Sequence, residues 1–190
     1  MTRTATAVAL ILTLGVVSAI ANPVAFDAMY IDFDPGSYVS QVYPAPETTV
    51  EAFVMLEMFG SGVGFTSVSF TLDVTPGILM SPPVYESLLP GGATSGDWTS
   101  GITLTSTECI EPWEFPYPIA RVTFDYIGGA GAITIGDHPD YPRWAIDCYD
   151  NIRIYCVLWH GGVGADSPAG DCEGQPVESA SWSTIKALYR

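Results

Sequence analysis

Residues 63–76 constrain the fold of this chain more than any other stretch. Residues 68–74 alternate without a break, with Val68, Phe70, Leu72 and Val74 on one side and Ser69, Thr71 and Asp73 on the other. A period of two in β-branched and aromatic residues predicts a strand with one buried and one wet face. Thr75-Pro76-Gly77 ends it, because proline brings no N–H to a ladder and glycine permits a sharp turn. Such a strand needs a second apolar layer, which the rest of the chain must supply.

Several other segments have the same character. Residues 28–33 predict a short first strand closed by Asp34-Pro35-Gly36. Residues 50–59 predict a longer one, with Val50, Ala52, Val54, Leu56 and Met58 on one face. Its other face mixes Glu51 and Glu57 with Phe53, Met55 and Phe59, the pattern of a central or covered strand. Gly60-Ser61-Gly62 then predicts a hairpin into the 63–76 stretch. Alternation returns at 101–105 and at 119–126, where Ala120, Val122, Phe124 and Tyr126 point inward, and further short strands are expected at 132–135, 144–146 and 152–159. Residues 79–92 read as loop, with Tyr85 and Leu88 as plugs. Three prolines within 110–118 bar an inner strand there. Short strands between turns, with no long helical period before residue 181, predict an all-β, antiparallel two-sheet β-sandwich.

The first 21 residues read as a signal peptide rather than as part of that sandwich. Arg3 precedes an apolar run too short for a membrane span, and Ala19-Ile20-Ala21 supplies the small-residue cleavage pattern. The expected layout is a signal peptide over 1–21, a sandwich over 22–160, a Gly/Pro/Asp-rich linker or loop over 161–180, and a short C-terminal helix or tag over 181–190. In that last segment Ser181 is placed to cap, Trp182, Ile185 and Tyr189 share a helical face, and Lys186 and Arg190 fall near the end. A secreted or cell-surface location follows, with no membrane span after signal removal.

Export gives the cysteines and the charge their meaning. Cys109, Cys148, Cys156 and Cys172 predict two disulfides with three possible pairings, of which Cys148–Cys156 with Cys109–Cys172 is the arrangement their spacing suggests. The net charge of −15 disfavours phosphate backbones and anionic lipid, so nucleic acid is not an expected partner. Asp32 and Asp34, Asp137 and Asp140, and Asp147 and Asp150 form short oxygen-rich clusters at strand ends, and calcium is the cofactor they suggest. The competing reading is that these carboxylates cap turns by side-chain hydrogen bonds.

Catalytic patterns are scarce. His138 and His160 do not form a zinc-binding pair, and there is no nucleophile elbow or phosphate loop. Glu108, Glu111 and Glu114 are the carboxylates from which a glycoside-hydrolysing pair could be drawn, a remote alternative to their being a solvated acidic edge. Aromatic residues give a stronger lead: Trp113, Tyr117, Tyr141 and Trp144 are the candidate binding residues, with Tyr149 and Trp159 nearby in sequence. Exposed rings of this kind stack on sugars or anchor protein interfaces, whereas buried ones close a core.

The runs Val68-Ser-Phe-Thr-Leu-Asp-Val-Thr-Pro-Gly-Ile-Leu79 and Ile119-Ala-Arg-Val-Thr-Phe124, with Ala132-Ile-Thr-Ile135 after a glycine turn, resemble cohesin modules. Those are bacterial extracellular nine-stranded sandwiches related in fold to carbohydrate-binding modules, and the sandwich is accordingly expected to be cohesin-like or immunoglobulin-like. In that family the first run is a strand entering a loop and the second a buried strand feeding a hairpin. The four cysteines, the proline-rich insertion and the helical tail depart from the pattern, and no binding residues carry over. The resemblance implies a non-catalytic module for protein binding or surface assembly. A carbohydrate-binding module using the loop aromatics is the alternative, so the expected partner is an extracellular protein or a polysaccharide.

Overall fold

The computed structural model describes residues 27–58, 63–140 and 142–172. The expected signal peptide, the 181–190 helix or tag, and Tyr141 lie outside the described residues. Within them the chain forms β1 (Asp27–Asp32), β2 (Gln41–Val42), β3 (Thr48–Met58), β4 (Phe65–Val74), β5 (Val84–Ser87), β6 (Ala93–Asp97) and β7 (Gly101–Ile110). These are followed by β8 (Tyr117–Tyr126), β9 (Gly131–Gly136), β10 (Trp144–Asp147), β11 (Ile152–Ile154), β12 (Cys156–Val157) and β13 (Gly161–Val163).

Two sheets pack face to face. The first runs β12-β1-β3-β8-β5, and the second runs β11-β10-β4-β9-β13-β2 with β7 and then β6 attached to β4. The 63–76 stretch is the hub of the second sheet. Its β4 pairs β7 along one edge, and β10 and then β9 along the other. Val68, Phe70, Leu72 and Val74 are buried as the alternation requires, and they share one core with Val122, Phe124 and Tyr126 of the first sheet.

The structure departs from the expected topology in identifiable ways. The sheets are mixed rather than purely antiparallel, because β1 pairs β12 and β2 pairs β13 in parallel. No β3–β4 hairpin forms. Both edges of β3 are occupied, by β1 and β8, so the chain crosses to the opposite sheet. That arrangement buries the apolar faces of both strands in one core, which edge-to-edge pairing would not do. The glycine turn after β8 likewise leads across the sandwich to β9 and not into a hairpin. Val84–Ser87 and Ala93–Asp97 form strands where loop was expected, because each is an edge strand held by backbone pairing to β8 or β7 and needs little apolar alternation of its own. Gly161–Val163, within the stretch read as linker, is a fully buried strand beside β9. Glycine serves there because an added Cβ on Gly161 would lie 2.6 Å from Ile31 Cγ2.

The disulfides are Cys109–Cys148 and Cys156–Cys172, not the pairing suggested by spacing. Cys148 follows β10 while Cys156 lies in β12, so the eight-residue interval spans the step from the second sheet to the first. Instead, Cys109 at the end of β7 meets Cys148 next to β4, where Cys148 N–H donates to Gly64 O at 3.1 Å. Cys172 meets Cys156 because the chain runs back along β12, with Asp171 and Cys172 N–H both directed at Val157 O.

Candidate functional site

The two outer faces of the sandwich differ in chemistry. On the first sheet, the β1 side is already covered. Asp32 is fully buried and pins the following loop, accepting Asp34 and Val39 N–H on Oδ1 at 3.1 and 2.9 Å, and Gly36 and Tyr38 N–H on Oδ2 at 3.1 and 3.0 Å. That loop lays Tyr38 against Tyr30, with ring centroids 5.5 Å apart, and Trp159 closes the cluster at 4.8 Å from Tyr30 while donating Nε1–H to Ile31 O at 2.8 Å. The rest of this face is charged: Arg121 bridges Glu51 and Glu86, and Asp125 accepts from Thr49.

The outer face of the second sheet carries two uncharged rows across five strands, with Asp97 of β6 and Asp73 of β4 beyond them on the same face. Pairing registers place Ala93, Thr105, Ser67, Ile146 and Ile152 in one row across β6, β7, β4, β10 and β11. Ser95, Thr103, Ser69, Trp144 and Ile154 form the neighbouring row. The intervening Leu104, Val68 and Ala145 belong to the core, which fixes these rows as outward. Ser69 and Thr103 hydroxyls lie 2.6 Å apart, and Ser67 donates to Leu104 O at 3.0 Å, so these hydroxyls are satisfied within the sheet, where Ser67 and Ser69 are themselves buried beneath their neighbours. Four strand gaps give the face a width of ~19 Å. One end is apolar, formed by half-buried Trp144 and Ile146 with Ile152 and Ile154, which are 47% and 57% exposed.

Beneath this end lies an ionic cluster. Arg153, between the two isoleucines, turns toward Asp147 at 3.1 Å and Asp27 of the first sheet at 3.6 Å. Burial alone would raise the Asp147 carboxyl, but donors from Asn151, Tyr149 and Arg153 outweigh it and hold the group below its ordinary value. Burial dominates at Asp27 and raises its pKa to about 6.

Of the predicted binding aromatics within the described residues, Trp113 and Tyr117 line one cleft and Trp144 does not. Trp113 and Tyr117 line a cleft of 510 Å³ with Pro90, Glu108, Glu111 and Glu114, beside the Cys109–Cys148 bond. Trp113 is 77% exposed, whereas Tyr117 is half-buried with its ring edge toward Phe65. Glu114 accepts Glu111 N–H at 2.9 Å and so closes the short turn that carries Trp113. Trp144 stands apart, in one of the uncharged rows. Tyr149 is exposed in the β10–β11 turn.

The predicted acidic clusters are dispersed in the same way. Asp32 and Asp147 are buried and receive donors, Asp34 and Asp150 are exposed, and Asp137 pairs with Arg143 at 3.0 Å. Asp140 N–H donates to His138 Nδ1 at 3.3 Å. Among the described residues no group of three or more His, Cys, Asp or Glu side chains converges to hold a metal ion. The hydroxyl rows and the Ile152/Ile154 pair were not singled out from sequence. Their signal was the alternation Ile-Arg-Ile at 152–154 and the serine and threonine run opposite the core positions of β4.

No protein-family model and no curated protein sequence matches the chain. Solved structures do resemble it. A cohesin module from a Clostridium perfringens family 33 glycoside hydrolase is 8% identical with a TM-score of 0.50, covering 76% of this chain and 96% of that one. The sixth cohesin of Acetivibrio cellulolyticus scaffoldin B, solved with a Cel5 dockerin mutant, is 15% identical with a TM-score of 0.51, covering 75% of this chain and 100% of that one. A Clostridium thermocellum cohesin, OlpC, solved with a dockerin, is 12% identical with a TM-score of 0.52, covering 76% of this chain and 94% of that one. This chain therefore has a cohesin-like fold.

Proposed function

We propose that this chain is a non-catalytic, exported protein-docking module that receives a partner protein on the outer face of its second sheet. The carrying observation is the five-strand face of hydroxyls and aliphatic side chains, without a charged residue in its two central rows, on a chain of net charge −15. Rows of this kind offer a preformed surface with its polar groups already satisfied, so a partner excludes water there at little desolvation cost. Two cohesins of similar fold were solved with dockerin proteins, which supports a protein partner over a polysaccharide. The separation of Trp113 and Tyr117 from Trp144 weakens a sugar-stacking platform in the same direction.

The test is capture from the source culture fluid in parallel with a glycan array. The native chain should retain a discrete protein that an Ile152→Glu/Ile154→Glu variant loses and a Trp113→Ala variant keeps, while the array stays silent. Glycan binding abolished by Trp113→Ala, or capture indifferent to the isoleucines, refutes the reading.

A further inference from the structure

The cleft between the end of β7 and the start of β8 has walls of a different chemistry from the docking face. We infer that it binds an arginine-bearing peptide segment, with the guanidinium laid against the Trp113 ring and held by the surrounding glutamates. This site does not rest on the docking reading, and either stands without the other.

The aromatic wall comes first. Trp113 is 77% exposed and lines a 510 Å³ cleft, within the ~300–1,000 Å³ range of small-ligand sites. Tryptophan is highly buried on average, so a ring left this open is informative. The turn that presents it is braced. Glu114 accepts Glu111 N–H at 2.9 Å, and Phe115 and Tyr117 place their rings 5.9 and 6.3 Å from that of Phe65. Cys109–Cys148 ties the end of β7 to the chain beyond β10. A ring held in this way spares a ligand much of the ordering cost of an aromatic contact.

Charge selects the occupant. Glu108 and Glu114 are exposed and Glu111 is half-buried in the same lining. Burial raises the Tyr117 hydroxyl pKa, and Glu114 and Glu108 raise it further, so both carboxylates act on one wall. The fold supplies no counter-charge of its own. Among the described residues the only Lys or Arg side chains are Arg121, Arg143 and Arg153, and each is paired with carboxylates outside the cleft. The three glutamates do not converge as a metal site requires. Carboxylates spread around an indole instead match a planar guanidinium, which stacks on a ring and donates hydrogen bonds in several directions. A neutral sugar would use the ring and leave the negative field uncompensated.

Calorimetric titration of the oxidised chain with an acetylated, amidated glycine pentapeptide carrying two arginines tests this, against the same peptide with citrulline. At about 50 mM salt, where exposed charges are weakly screened, the arginine peptide should bind and the citrulline peptide should not. Trp113→Ala, which leaves the net charge unchanged, should weaken binding by about fivefold at a native melting temperature. Glu108→Gln should weaken it more than Glu47→Gln, since Glu47 lies at the far end of β8, where its N–H donates to Tyr126 O at 2.7 Å. No binding of the arginine peptide, equal binding of both peptides, or no loss in Trp113→Ala overturns the proposal. An equal loss in Glu47→Gln also overturns it, because the general acidity of the chain would then suffice. Displacement of the peptide by cellohexaose overturns it in favour of a sugar. The Ile152→Glu/Ile154→Glu variant should bind the peptide as the native chain does while losing the docking partner; loss of both would move the peptide to the sheet face and overturn the cleft assignment.

Discussion

Asp32→Asn is the substitution whose cost follows most directly from the structure. The carboxylate is fully buried and accepts four backbone N–H groups at 2.9–3.1 Å, two on each oxygen. Asparagine keeps one acceptor oxygen and turns an NH2 group toward the other two donors, so two of the four bonds are lost without a change in volume. A hydrogen bond to a charged acceptor contributes ~1.5–3 kcal/mol, and partial access of water to the loop favours the low end, giving a loss of about 3 kcal/mol. In a domain of this size that lowers Tm by ~6–12 °C. The loop also holds Tyr38 against Tyr30, so near-ultraviolet circular dichroism should lose aromatic signal before global unfolding. Urea denaturation with and without calcium measures both effects. A variant within ~0.5 kcal/mol of the native chain refutes the capping argument, since that is the range of changes made away from such features. Calcium that stabilises the native chain and not the variant would show that this carboxylate serves a cation.

Two further outcomes follow from the ionic and covalent ties. Asp27 has a folded pKa raised to about 6, so its contribution is full below the unfolded value of 3.8 and is lost as pH rises through 6. His160, whose pKa burial lowers, loses stability in the same window, so the native chain is compared with Asp27→Asn: on acidification from pH 7.5 to 5 the native melting temperature should gain on the variant's, and no relative gain refutes the assignment. Asp147 and Asp171 are shifted the opposite way, so their contributions are lost below the ordinary carboxylate range and stability falls again at lower pH. Non-reducing peptide mapping should find Cys109–Cys148 and Cys156–Cys172. From their separations of 39 and 16 residues, paired serine substitutions should cost ~4 and ~3 kcal/mol in urea unfolding. A Cys148–Cys156 peptide would contradict the topology itself.

Much of the architecture is legible in the sequence because burial on one face imposes alternation. The inward sets of β3, β4 and β8 are those that alternation names, and their outcome in one core follows from it. Connectivity is less legible, since a glycine turn after β3 reads the same whether the chain pairs with its neighbour or crosses to the other sheet. Edge strands β5 and β6 are held by backbone pairing to β8 and β7, and the glycine-built β13 is held between β9 and β2, so their side chains carry little pattern. The site suffers from the same cause. Conspicuous residues drew attention to Trp113 and the aspartates, whereas the uncharged rows are built of serines and threonines that matter through register. Thr103, Ser69 and Trp144 become neighbours only once β7, β4 and β10 are paired.

A photo-reactive residue placed in turn at Thr103, Ile154 and Thr123 probes the docking claim at the level of faces. Thr103 and Ile154 lie in one of the uncharged rows, and Thr123 lies on the charged outer face of the first sheet beside Glu51. Irradiation in the source culture fluid should attach one discrete protein at positions 103 and 154 and none at 123. The same protein attached at 123, or no protein at 103 and 154, would contradict the assignment of the docking face.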